Sequence, residues 1–164
     1  MKIDLKELYP LQADLDKDIA KRHHITYKST FHSRLLALIV ELGEFANETR
    51  AFKYWSLKGP SPKKVILEEY ADGLHFILSL GVIVKDKKTI YEIKKNKDYN
   101  LVTAILDAYQ ESLKLKDNYS RSQYEKAMSS YLNLIAYLGY KPKEVIDAYL
   151  SKLKVNYNRQ ENKY

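Results

Sequence analysis

The sequence predicts an all-α bundle of five or six helices, and three observations carry that prediction. Apolar residues recur at spacings of three and four along most of the chain, which is the period of a helix face rather than of a strand. Five glycines and four prolines in 164 residues leave little room for the many tight turns of an all-β fold. Gly59, Pro60, Pro62, Gly139 and Pro142 also fall between the periodic segments, where helices should stop and start. A chain of this length fits one domain with a core of ordinary size.

The first helix is predicted over residues 4–22, with Asp4 as N-cap and Leu5, Leu8, Leu11, Leu15 and Ile19 on its apolar face. Pro10 is tolerated in its first turn or marks a kink. A loop, RHHITYKST, follows, and Ser29 or Thr30 is placed to cap a second helix that runs to about residue 52. The stretch YWSLKGPSP breaks that helix, and Pro62 at its first position starts the third. So short a connection makes the second and third helices antiparallel neighbours.

Residues 85–98, KDKKTIYEIKKNKD, are polar and lysine-rich and read as a linker with one short helical turn. Three more helices follow at 99–115, 122–138 and 142–156, with Gly139 ending one in a left-handed cap and Pro142 beginning the next. The organisation predicted is a single domain, with N-terminal helices over 1–84, the linker over 85–98, and C-terminal helices and a basic tail over 99–164. Beyond Val155 the tail is too polar to bury itself and is expected to be mobile.

Composition limits the function classes. With 45% hydrophobic and 30% charged residues the chain is globular rather than disordered. It has no cysteine, which excludes a disulfide framework and any thiolate ligand or nucleophile. The N-terminus lacks an apolar signal region and nowhere do about 18 apolar residues run together, so no membrane partner is expected and a soluble, cytoplasmic protein is. A net charge of +7 invites an anionic partner, yet the lysines are scattered and no helix-turn-helix, zinc-finger or RNP pattern accompanies them. Nucleic acid is therefore not expected as the partner.

The chemistry lies in the stretch LLALIVELGEFANETRAFKYWS, residues 35–56. Glu41, Glu44 and Glu48 form one acidic stripe inside an otherwise apolar helix. Glu69 and Asp72 repeat the one-turn spacing in the next helix, within ILEEYADGLHFILSLG. Surface acids at this spacing are common, but these sit at the rim of strongly apolar segments, where unpaired carboxylates are costly. Two facing pairs of carboxylates suit a hard divalent cation, and Mg²⁺ is the natural one because it shares its coordination with substrate phosphates. No Walker-type glycine loop is present, so phosphate binding would fall to metal and cationic side chains.

ELGEFANETRAFKYWS followed by EEYADGLHFILSLG closely resembles the dimeric dUTPase branch of the all-α nucleoside triphosphate pyrophosphohydrolase superfamily. Leu11 and Gln12 match that family's N-terminal helix, and Asn156, Arg159 and Gln160 match its basic tail. Residues 85–125 match weakly, and Leu15-Asp16 stands where the family pattern leads one to expect Leu-Asn. The resemblance implies hydrolysis of dUTP to dUMP and pyrophosphate, with dUDP also accepted. It implies two or more Mg²⁺ ions held by Glu41, Glu44, Glu69 and Asp72, with Glu44 as general base and Glu41 not separable from it by sequence. It further implies a homodimer. Trp55, the only tryptophan, would be the platform for the base, and Gln12 would read the uracil edge.

Other residues are candidates by position. Asn47 lies one turn beyond Glu44 and would orient the ligand; Lys53 and Lys58 would neutralise phosphate. His75, one turn after Asp72, is the one histidine able to reach such a site. Lys152, Asn156 and Arg159 lie four and three residues apart, so a continuing helix would present all three on one face toward phosphate or sugar oxygens. Two alternatives stay open: a pyrophosphohydrolase for another nucleotide, such as dCTP or a modified triphosphate, and a helical interaction module without catalysis.

Overall fold

A computed structural model describes residues 1–163 of the chain. Among them stand six α-helices: α1 (Leu8–His23), α2 (Tyr27–Thr49), α3 (Lys63–Val84), α4 (Leu101–Leu113), α5 (Arg121–Leu138) and α6 (Pro142–Glu161). A 3₁₀ turn at Lys114–Lys116 extends α4, and two short strands, β1 (Lys2–Asp4) and β2 (Ile90–Glu92), pair antiparallel. The predicted all-α bundle is what forms.

That small sheet corrects two expectations. Asp4 caps no helix, because Ile3 faces the core between exposed Lys2 and Asp4 and pairs with Tyr91. Its partner strand lies inside the segment expected to be a linker with a helical turn, where Tyr91 and Ile93 are buried and Ile90 and Glu92 are not. The period of two lasts only a few residues at each place. Such a short alternation is lost beside a longer helical pattern.

At α2 the cap is Thr26, and Ser29 and Thr30, the two residues expected to cap it, are the third and fourth helical residues. Thr26 and Ser29 form a capping box, Ser29 N–H donating to Thr26 Oγ1 and Thr26 N–H to Ser29 Oγ, both at 3.1 Å. α2 stops at Arg50, which adopts φ 56° and turns its guanidinium onto the Lys58 carbonyl (3.0 Å) and Ser56 Oγ (2.7 Å). Gly139 ends α5 at φ 68°, as expected. The tail differs: α6 continues through Asn156 and Arg159, since Leu153 is buried, Tyr157 packs on the core, and Gln160 Oε1 meets His23 Nε2 at 2.9 Å. Tyr164 lies outside the described residues.

α3 is the axis of the bundle and packs against α1, α2, α5 and α6. Tyr70, Leu74, Ile77, Leu78 and Leu80 on it are all buried. Gly73 is needed where it stands, because the hydroxyl of Tyr131 on α5 occupies the place a Cβ would take. That approach lets Tyr131 donate to the Tyr70 carbonyl (2.5 Å) while Tyr70 donates to the Tyr131 carbonyl (3.2 Å). α2 and α3 are antiparallel: Ser61 bonds to Glu48 near one end and Arg34 to Ser79 near the other. No helix among the described residues is long and apolar enough to cross a membrane.

Candidate active site

The antiparallel packing of α2 on α3 brings the two acidic pairs together. One carboxylate oxygen each from Glu41, Glu69 and Asp72 lies within 4.8 Å of the others. Glu44, one turn along α2, lies close enough to Glu69 for its charge to help raise the Glu69 carboxyl. Burial, reinforced by the charges of Asp72, Glu44 and Glu69, pushes the Glu41 carboxyl up to about 7. Burial raises Glu69 and Asp72 as well. Lys152 opposes this at Asp72, its Nζ standing 2.6 Å from Asp72 Oδ2. Arg159 lowers Asp72 too, yet two cations do not balance four acids. Glu41 Oε2 is buried without a hydrogen-bond partner among the described residues. An all-oxygen donor set with an orphaned, desolvated carboxylate oxygen fits a hard divalent cation.

From Glu41 and Asp72 a cavity of about 420 Å³ extends along α3, lined on its other sides by α1, α2 and the end of α6. Arg34 stands seven residues before Glu41 and Ser79 seven after Asp72, so both mark the far end, two helical turns or about 10 Å away. There Asp16 is buried and its oxygens are taken. Oδ1 accepts from Gln12 Nε2 and Arg34 Nη1, each at 3.0 Å, and Oδ2 accepts from Ser79 Oγ at 2.7 Å. Arg34 Nε donates to Thr30 Oγ1 at 2.9 Å, and its guanidinium lies 5.1 Å from the centre of the Tyr27 ring.

Midway along the wall, Gln12 Oε1 accepts from Tyr149 Oη (3.0 Å) and from His75 Nδ1 (2.7 Å). The amide's orientation is set by Asp16, which requires the NH₂ group, so the His75 proton sits on Nδ1. Burial lowers the His75 pKa to about 4, and the ring stacks on Tyr149 with centroids 4.1 Å apart. His75 Nε2 is thus a buried acceptor with no partner. The arrangement leaves room for a polar, elongated ligand between the acidic cluster and Arg34.

The profile of the dUTPase family matches residues 4–164 of the chain. The chain belongs to the all-α dUTPase family. Its activity is dUTP hydrolysis, that of a dUTP diphosphatase. No curated protein matches the chain. The family implies a divalent metal, and the acid cluster supplies a site that fits one.

Of the residues singled out from sequence, Glu41, Asp72, Gln12, His75, Asn156 and Arg159 all line the cavity, and Lys152 joins them through Asp72. Gln12 is only 3% exposed, with its amide engaged by Asp16, His75 and Tyr149. Glu44 and Glu69 face a shallow depression on the other side, shared with Asn47. Trp55, Lys53 and Lys58 do not line the cavity. Trp55 is 64% exposed and touches Tyr54 and Phe52, while Lys53 Nζ is held by Asn47 Oδ1 at 2.5 Å. Sequence reasoning passed over Arg34, Ser79 and Tyr149 and met Asp16 only as a departure. Spacing held the signal: Arg34 and Glu41, or Asp72, His75 and Ser79, share a helix face at three, four and seven.

Proposed function

We propose that the acidic end of the cavity holds Mg²⁺, in two or more ions, and that the cavity takes the deoxyuridine part of dUTP or dUDP. The observation that carries this reading is the convergence of Glu41, Glu69 and Asp72, with an orphaned Glu41 oxygen, at the end of a cavity of nucleoside size. Glu41, Glu44, Glu69 and Asp72 would hold the metal, which when bound neutralises charge on the phosphoryl oxygens. Lys152, Asn156 and Arg159, on one face of α6, would bind phosphate and sugar oxygens. Glu44 would accept the proton of the water that attacks the α-phosphorus, with Glu41 as the second candidate. The α–β anhydride bond breaks, and pyrophosphate leaves from dUTP or phosphate from dUDP.

The whole of residues 1–164 would act as one domain, working in the cytoplasm as a cysteine-free chain can. A homodimer is supported by exposed apolar residues on two adjoining helices, Leu36 and Val40 on α2 and Leu106 and Leu113 on α4. Light scattering at micromolar concentration tests it, a monomer refuting this part. For the activity, the purified protein is offered the common ribo- and deoxyribonucleoside triphosphates, and dUDP, with Mg²⁺. Pyrophosphate release confined to dUTP, with phosphate from dUDP and no turnover in excess EDTA, is expected. Turnover of dCTP at an equal rate, or indifference to EDTA, would overturn the reading.

A further inference from the structure

The part of the cavity wall built from Gln12, Asp16 and Ser79 is largely closed upon itself. Gln12, Ser79 and Asp16 spend their hydrogen bonds on one another and on Arg34, His75 and Tyr149. Arg34 is different. A guanidinium has five N–H donors in one rigid plane. Its Nε donates to Thr30, and Nη1 donates to Asp16 Oδ1 and to Ser79 Oγ. Nη2 takes no acceptor among the described residues, while the residue lines the cavity and is 9% exposed. Two donors fixed in direction by an ion pair, a hydroxyl and the face of Tyr27 therefore stand at the end of the cavity remote from the acids.

We infer that Arg34 is a specificity-determining residue, whose Nη2 donates to the 4-carbonyl of the pyrimidine. The inference rests on the reading of the cavity as a nucleotide site and names what selects the base. Orientation follows from the ends of the cavity. The phosphates belong at Glu41 and Asp72, so the base enters with its glycosidic nitrogen toward them. In a pyrimidine ring the 4-position lies directly across from that nitrogen, so its substituent reaches furthest from the phosphates and meets Arg34 and Ser79 two helical turns away. Uracil carries a carbonyl acceptor there, whereas cytosine carries an amino donor. An arginine cannot accept, so it bonds the first and opposes the second.

Asp16 makes this possible in two ways. Left to itself a buried carboxylate would attract the cytosine amino group. Here Arg34, Gln12 and Ser79 already occupy it. The pair also holds the guanidinium plane, so Nη2 needs no reorganisation when the base arrives. Asp16 and the arginine opposite are thus one device.

The test is kcat/KM for dUTP, dCTP and 4-thio-dUTP, whose sulfur is a weak acceptor, on the full-length wild type, R34K and the double variant D16N/R34Q. R34K keeps a cation for Asp16 without the fork; the double variant removes both buried charges, so at least one keeps its fold by circular dichroism. Expected for wild type is a loss of about tenfold or more from dUTP to 4-thio-dUTP. In a folded Arg34 variant that loss should vanish, and dUTP preference over dCTP should shrink by about 10–100-fold. A folded variant that keeps both ratios overturns the role of Arg34 and leaves the dUTPase reading intact. Wild type that does not prefer dUTP over dCTP would instead fail the reading beneath it.

Discussion

The two ends of the cavity both bury acids, and they treat them in opposite ways. At the far end Asp16 is saturated by Arg34, Gln12 and Ser79, so its charge is neutralised within the chain. At the near end Glu41, Glu69 and Asp72 crowd together against Lys152 and Arg159, and a Glu41 oxygen has no partner among the described residues. A fold stabilises the first arrangement by itself; the second is at odds with stability until something positive arrives. The far end is a finished mould, and the near end is a demand for a ligand.

Substitutions should therefore change stability with opposite sign at the two ends. The largest effect is expected for Glu41→Gln, which should cut dUTP turnover by about 10³-fold or more. In EDTA the same variant should melt a few degrees higher than wild type, since a buried like charge is gone, with about 1 kcal/mol equivalent to about 2–4 °C in a chain of this size. A variant that loses activity and also melts lower would break the contrast. At the far end Asp16→Ala should cost about 3–5 kcal/mol in urea denaturation, because it leaves Arg34 buried and unpaired. A loss under about 1 kcal/mol would mean that the far end is not the mould described.

His75, between the ends, sharpens the comparison through pH. Its pKa falls from 6.5 to about 4 on folding, so its neutral form contributes stability that is complete above 6.5 and is lost as pH drops toward 4. Glu41, raised from 4.5 to about 7, acts the other way over nearly the same window. Glu69 and Asp72, also raised, act in the same direction as Glu41, so the wild-type curve alone does not isolate the histidine. The difference between wild type and His75→Asn isolates the histidine: the variant should keep up to about 3 kcal/mol more of its stability between pH 6.5 and 4. Equal pH dependence in both would exclude the neutral, buried ring. The smallest effect is expected at Trp55, where Trp55→Ala should change unfolding free energy by no more than about 0.5 kcal/mol, the side chain being mostly exposed.

Much of this was legible in the sequence, and for a physical reason. Helix periodicity persists over whole turns, so six helices and the facing of Glu41 on Asp72 could be read from apolar spacing and one short loop. The β1–β2 pairing could not, because three residues of alternation per strand carry almost no period. The far end was hidden for another reason. Asp16 and Arg34 are charged residues that look solvated until two different helices meet, and only their register with Ser79 makes them partners. Trp55 was singled out for its rarity and its motif, yet a turn fixed by Arg50 leaves it outward, which neither signal encodes.

The near end is expected to bind a divalent cation through Glu41, Glu69 and Asp72. Mn²⁺, which shares the preference of Mg²⁺ for oxygen ligands, can be titrated into metal-free protein while its free fraction is followed by electron paramagnetic resonance. Wild type should bind Mn²⁺ in competition with Mg²⁺, and Glu41→Gln and Glu69→Gln should each weaken that binding by about tenfold or more. Equal binding by wild type and both variants would contradict the claim.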